Sequence, residues 1–282
     1  MKQVLVFSLL TWSSLHISAQ ITITSSTFPA TGDVLRYVQA ANPNIAVALF
    51  TPPGGNQSWD LSALTPASTF EVSYRPASEG SSNAAFPAAT MVVSSGTDEY
   101  YYTSSATKFE LLGQTSSTVG GLPLTAIYQN QPAVAERRAP LNFFDIYQQS
   151  SNNSLAWPYS EIPTGALNFP FTPDSVLLRI HKQILDVVDG YGMLRLPGAL
   201  PQPEFPVLRL KKTIYITKNI DIKVQPLGWI DVSQVAPAPG SQWASLLGTD
   251  TIVTYHYLND ISKEEIAVLT FNNAQNAVAS VV

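Results

Sequence analysis

The run VLRLKKTIYITKNIDIKV, Val207 to Val224, decides the fold. Leu208, Leu210, Ile214, Ile216, Ile220 and Ile222 fall on one parity, and Arg209, Lys211, Thr213, Tyr215, Thr217 and Asp221 on the other. Successive side chains of an extended chain point to opposite faces, so the pattern predicts one long antiparallel strand with a dry face and a wet face. Lys212 and Lys218 interrupt the dry parity. Either a bulge intervenes near them, or their stems lie along the edge of the buried face with the ammonium groups in water. The basic segment Arg209-Leu210-Lys211-Lys212 reads as a solvated strand face.

Working upstream, Ser175 to Val188 reads as a second strand, Asp189-Gly190-Tyr191-Gly192 as a turn and Met193 to Leu196 as its return strand, because Asp-Gly tolerates positive φ. With the proline-rich Pro197 to Pro206 leading into Val207, this predicts a three-stranded meander. Further strands are expected at Ile21 to Thr24, Val34 to Ala40, Phe70 to Tyr74, Met91 to Ser94, Glu99 to Thr103, Lys108 to Leu112, Leu124 to Tyr128, Thr251 to Leu258 and Glu265 to Phe271. Pro140 to Pro173, with Trp157, Tyr159, Phe169 and Phe171 among prolines, reads as a long loop packed through its own aromatics. The fold class is therefore all-β, an antiparallel sandwich or open barrel with long loops rich in proline and aromatics. Residues 20–235 form the main β domain, and residues 236–282 supply a connector, Ala236 to Gly240, and terminal strands that complete the same domain.

At the other end, Lys2, the apolar run Val4 to Leu10 and the exit Ile17-Ser18-Ala19 read as a secretory signal peptide over residues 1–19, with a mature chain beginning near Gln20. The apolar run is shorter than the roughly 20 residues that a membrane-spanning helix needs, so no transmembrane segment is expected after its removal. The 282 residues contain no cysteine, which excludes disulfides, thiolate metal sites and a lipidated cysteine. A net charge of −5 without a basic block argues against nucleic acid as a partner. The apolar run at Val281-Val282 predicts that the natural protein continues further.

Four phrases, Ile23-Thr24-Ser25-Ser26-Thr27-Phe28-Pro29, Gly55-Asn56-Gln57-Ser58-Trp59-Asp60-Leu61-Ser62, Ala139-Pro140-Leu141-Asn142-Phe143-Phe144-Asp145 and Asp189-Gly190-Tyr191-Gly192-Met193-Leu194-Arg195-Leu196-Pro197-Gly198, carry a resemblance. Over most of residues 20–235 the chain resembles an uncharacterised group of exported Bacteroidetes proteins. Members commonly bear a C-terminal sorting domain for type IX secretion, which does not follow Val282 here. The resemblance implies a periplasmic, outer-membrane-surface or extracellular address, and no particular activity. It also implies O-glycosylation where Asp precedes Ser or Thr and an aliphatic residue, at Ser175 in Asp174-Ser175-Val176 and at Thr251 in Asp250-Thr251-Ile252.

No catalytic motif accompanies these phrases. His181 and His256 each sit in a strand pattern, no Gly-x-Ser-x-Gly elbow is present, and two distant histidines do not make a zinc site. Gly54-Gly55 reads as a turn after Pro52-Pro53, not as a phosphate cradle. Asp60, Glu136, Asp145, Asp186 and Asp189 are the candidates for a two-carboxylate glycosidase. Asp189 is accounted for by its turn, Asp60 and Asp145 by loop hydrogen bonds, and Asp186 by a solvated strand face. The most suggestive binding feature is Arg137 and Arg138 ahead of Phe143, Phe144 and Tyr147, where guanidinium and aromatic groups would grip a glycan or lipid. The competing reading makes the arginines internal braces of the loop. The expectation is an exported non-catalytic β module without a cofactor, with two alternatives: a carrier of an apolar ligand in a curved sheet, or a carboxylate-dependent carbohydrate-active enzyme. An apolar cavity of several hundred Å³ would favour the carrier.

Overall fold

A computed structural model describes residues 20–44, 51–167, 169, 171–199, 201–234, 246–271 and 277–282. The expected signal peptide and the connector at Ala236 to Gly240 lie outside the described residues. The chain is all-β and largely antiparallel, and its large sheet does not close into a barrel. Among the described residues no helix is long and apolar enough to cross a membrane.

The strands are β1 (Val34–Ala40), β2 (Gly54–Asp60), β3 (Pro66–Ser73), β4 (Arg75–Pro76), β5 (Met91–Ser95), β6 (Asp98–Ser104), β7 (Lys108–Ser116), β8 (Ala126–Arg138), β9 (Ile146–Pro158), β10 (Ser175–Arg195), β11 (Glu204–Val224), β12 (Gly228–Asp231), β13 (Gly248–Leu258), β14 (Ala267–Phe271) and β15 (Val278–Val281). The large sheet runs in the order β15-β14-β13-β11-β10-β9-β8-β7-β6-β5-β4, with β12 beside β11 and β2 beside β10. β1 and β3 pair separately as a two-stranded ribbon.

The decisive strand is the centre of the sheet. β11 pairs with β10 along its whole length, and its only neighbour-register shift lies in β10, between Val188 and Gly190. No bulge therefore excuses Lys212: it stays on the dry parity and is 4% exposed. Its ammonium is neutralised inside the fold instead of reaching water. Lys218, by contrast, keeps some exposure and pairs with Asp250 at 2.8 Å. The wet face is also corrected. Arg209 is 1% exposed, and Thr213 and Asp221 are buried too. A second layer covers that face near Arg209, where Trp59, Leu194, Val207, Tyr257, Leu269 and Val281 share one core. Arg209 is tolerated there because Asp189 accepts its Nε hydrogen at 2.7 Å and Thr51 accepts from both terminal nitrogens.

The predicted turn at Asp189 is not a turn. β10 continues through it as one strand of 21 residues, and the meander is a single long hairpin whose end is tied by the Leu196 N–H donating to the Pro203 carbonyl at 3.0 Å. Gly190 and Gly192 serve a different purpose. β2 lies parallel to β10 here, with Gly190 opposite Gly54 and Gly192 opposite Gln57. An added Cβ on Gly192 would overlap the Gln57 carbonyl, so the glycine permits backbone approach. Gly54-Gly55 likewise opens strand β2, and Gly55 lies against the Tyr191 ring.

Pro140 to Pro173 is not wholly a loop either, since it contains β9. Inward positions of β9 alternate as Ser151, Asn153, Leu155 and Trp157, all buried. Its low strand propensity is overridden by a ladder with β10 from Ser175 to Val187. On its other edge β9 meets β8 through one backbone pair, Gln131 with Asn152. Side chains extend that seam. The Gln149 carboxamide donates to the Ala135 carbonyl at 2.9 Å and accepts from its N–H at 3.0 Å. Ser151 donates to the Pro132 carbonyl, and Asn153 to Asn130. Beyond the seam, β8 passes over the dry face of β11, where Lys212 donates to the Glu136 carbonyl at 3.2 Å.

Candidate functional site

The end of β8 does not gather the predicted arginine and aromatic residues into one binding surface. Arg137 is buried, donates to the Lys263 carbonyl at 2.7 Å and to Thr27 Oγ1 at 3.2 Å, and lies over the Phe28 ring. Arg138 lies over the Tyr147 ring at 4.8 Å. Phe143 packs edge-on against Tyr191 and joins the core of Ile23, Leu141 and Leu208. Phe144, with φ of 73°, is the most exposed of the group at 74%. Arg137, Arg138 and Tyr147 do share a void with Asp186 and Glu265, yet its volume is about 10 Å³. That is the size of a water molecule, not of a sugar ring.

Around this void lies a buried ionic cluster. Lys212 Nζ is 3.3 Å from Glu136 Oε2 and 3.9 Å from Asp186 Oδ1. Burial lowers the Lys212 ammonium pKa, but Glu136, Asp186 and Glu265 outweigh that and raise it overall, so the lysine stays charged. Asp186 is displaced upward, because burial outweighs Lys212 and His256. His256 bridges two groups, with Nδ1 3.0 Å from Glu265 Oε2 and Nε2 2.7 Å from Thr254 Oγ1. Burial pushes the Glu265 carboxyl up, and His256, Arg137 and Lys212 together overcome this and hold it at about 2. Asp186 and Asp189 are thus buried ion-paired groups, in place of the expected solvated face and turn. Asp60 and Asp145 do take local hydrogen bonds, from the Ser62 and Asn142 backbones.

The large concavity lies elsewhere. A cavity of about 650 Å³ opens between the β1–β3 ribbon and β14–β15. Its walls include Leu61, Leu64, Leu196, Phe205, Ala267 and Val281. Tyr37 and Val38 of β1 lie on the ribbon side. Arg36 is at its margin, paired with Glu71 at 2.9 Å. Polar groups collect in the β13–β14 connection, through Asn259, Ser262, Glu264 and Glu265. The Asn259 carboxamide oxygen accepts from the backbone N–H of Ile261 and Ser262 and so shapes this connection. Glu265 borders both the large cavity and the small void. None of the five carboxylates singled out from sequence lines the large cavity. Glu264 and Glu265 do, with Glu265 held ionised by its His256 partner.

Sequence reasoning missed this site because its walls come from segments far apart in the chain. The one local signal was Glu264-Glu265 immediately before an apolar strand. His181 is on the outer sheet surface, with Nδ1 2.8 Å from Asn152 Oδ1. Ser175 begins β10 between β9 and β11, and Thr251 lies on β13 opposite Tyr215, both half-buried. Among the described residues no group of His, Asp or Glu is placed to hold a metal ion. Neither a family model, nor a curated protein, nor a solved structure matches the chain.

Proposed function

We propose that the protein is an exported, non-catalytic binding module that holds a small, mainly apolar ligand in the cavity between the β1–β3 ribbon and β14–β15. The observation that carries this reading is the cavity itself: about 650 Å³, walled by aliphatic and aromatic side chains, with a few polar groups at one end. Ligand sites are commonly concavities of about 300–1,000 Å³ with this composition. A surface that only displayed the chain would have no use for such a hollow, since interiors otherwise close-pack. The carbohydrate-active alternative is less well supported, because aliphatic walls offer a sugar few hydrogen-bond partners.

The test uses N-phenyl-1-naphthylamine, a neutral apolar fluorophore. The expected result is saturable binding of one probe per chain, weakened at least tenfold in Leu196→Trp, which fills the cavity from a half-buried wall position. Ala40→Phe, from the opposite wall, provides a second filling variant should the first disturb folding by circular dichroism. Non-saturable binding, or equal affinity in folded filled variants, would overturn the reading.

A further inference from the structure

Resting on the cavity as the ligand site, we infer that the ligand is an amphiphile with a long apolar body and a primary ammonium head, and that Glu264 receives the head.

The argument is one of charge accounting at the cavity's polar end. The acidic groups there are Glu264 and Glu265, and Arg36 is the cation in the lining. Arg36 is engaged by Glu71 across the β1–β3 ribbon. Lys263, the neighbour of Glu264, turns to Asp33 at 2.6 Å, and its carbonyl accepts from Arg137. Glu265 is satisfied by His256. Glu264 differs: its Oε2 accepts the Ser262 hydroxyl at 2.7 Å, and among the described residues no cation lies within ion-pair distance of it. A ligand carboxylate placed here would meet the uncompensated Glu264 carboxylate, whereas an ammonium would supply its counter-charge and up to three donors. The apolar walls then take the chain, so head and body are recognised by different parts of one cavity.

The experiment displaces N-phenyl-1-naphthylamine from the full chain at pH 7 with dodecylamine, dodecyltrimethylammonium, dodecanol and dodecanoate, each below its micelle concentration. Dodecylamine is expected to bind at least tenfold tighter than dodecanoate, with dodecanol between them. The trimethylammonium compound separates the charge from the donors, and it should bind more weakly than the amine. In Glu264→Gln the ratio of amine to carboxylate affinity should fall below about threefold, and in Glu264→Lys the order should reverse. Dodecanoate equal to or tighter than dodecylamine, or a preference that survives Glu264→Gln, would overturn the inference while leaving the cavity reading intact. Failure of every compound, the naphthylamine included, would overturn both.

Discussion

At Lys212 an ammonium sits on an otherwise apolar strand face, and two carboxylates converge on it from β8 and β10. Such a group is retained only while its partners remain, because a stranded buried charge costs more than the pair gains. Lys212→Met should therefore destabilise the fold by about 3–5 kcal/mol in urea denaturation, since it leaves Asp186 and Glu136 without their cation. Lys211→Met should cost less than about 1 kcal/mol, because Lys211 is half-exposed above Tyr255. Equal losses would mean that the two lysines do not occupy opposite faces. Glu265 adds a pH dependence. Its folded pKa of about 2 lies below the ordinary 4.5, so its stabilisation is fully present above pH 4.5 and is lost as pH falls toward 2. Glu265→Gln should be less stable than the parent at pH 7 by about 2–3 kcal/mol, with the gap narrowing as denaturation is repeated down to pH 2.5. A gap that is constant with pH would show that Glu265 is not ionised against His256. At this scale parity marked Lys212 as anomalous, but nothing local in the sequence names its partners, which lie 26 and 76 residues away.

At the scale of elements, β1, β5, β6, β7, β13 and much of β10 and β11 were legible, because alternating apolar residues and β-branched side chains state their own periodicity. The short β4 and β12 were not, and neither were β9 and β2, which show why. β9 carries the polar run Gln148 to Ser154, and its strand character comes from the neighbours it bonds. Gln149→Ala should remove two hydrogen bonds to Ala135 and cost about 1–3 kcal/mol in thermal or urea denaturation, whereas Gln148→Ala, on the exposed side, should stay within about 0.5 kcal/mol. β2 was hidden by its glycines, which look like turn residues when the partner strand is unknown. Gly192→Ala should force β2 from β10, at a cost of about 1–3 kcal/mol, and should red-shift tryptophan emission as Trp59 loses its cover. An unshifted spectrum with unchanged stability would remove close approach as the reason for the glycine.

Across the whole molecule, the four phrases that carried the resemblance meet in pairs. Gly55 to Ser62 docks along Asp189 to Gly198 through β2 and β10. Ile23 bridges to Leu141 with backbone bonds of 3.0 and 2.9 Å. Folding contacts therefore account for these phrases. The predicted arginine and aromatic group divides the same way, Arg137 and Phe143 bracing the interior and Phe144 left outside. The cavity is the converse case. Tyr37, Leu64, Leu196 and Ala267 become one wall only after the ribbon, the long hairpin and the final strands have assembled, so no window of sequence could have announced it. The reading of the protein as a carrier depends on that hollow taking a ligand. A crystal of the full chain soaked with N-phenyl-1-naphthylamine tests it directly: ring density between Leu64, Leu196 and Phe205 is the predicted result, and a cavity closed by its own side chains, with probe density absent from it, is the result that would contradict the account.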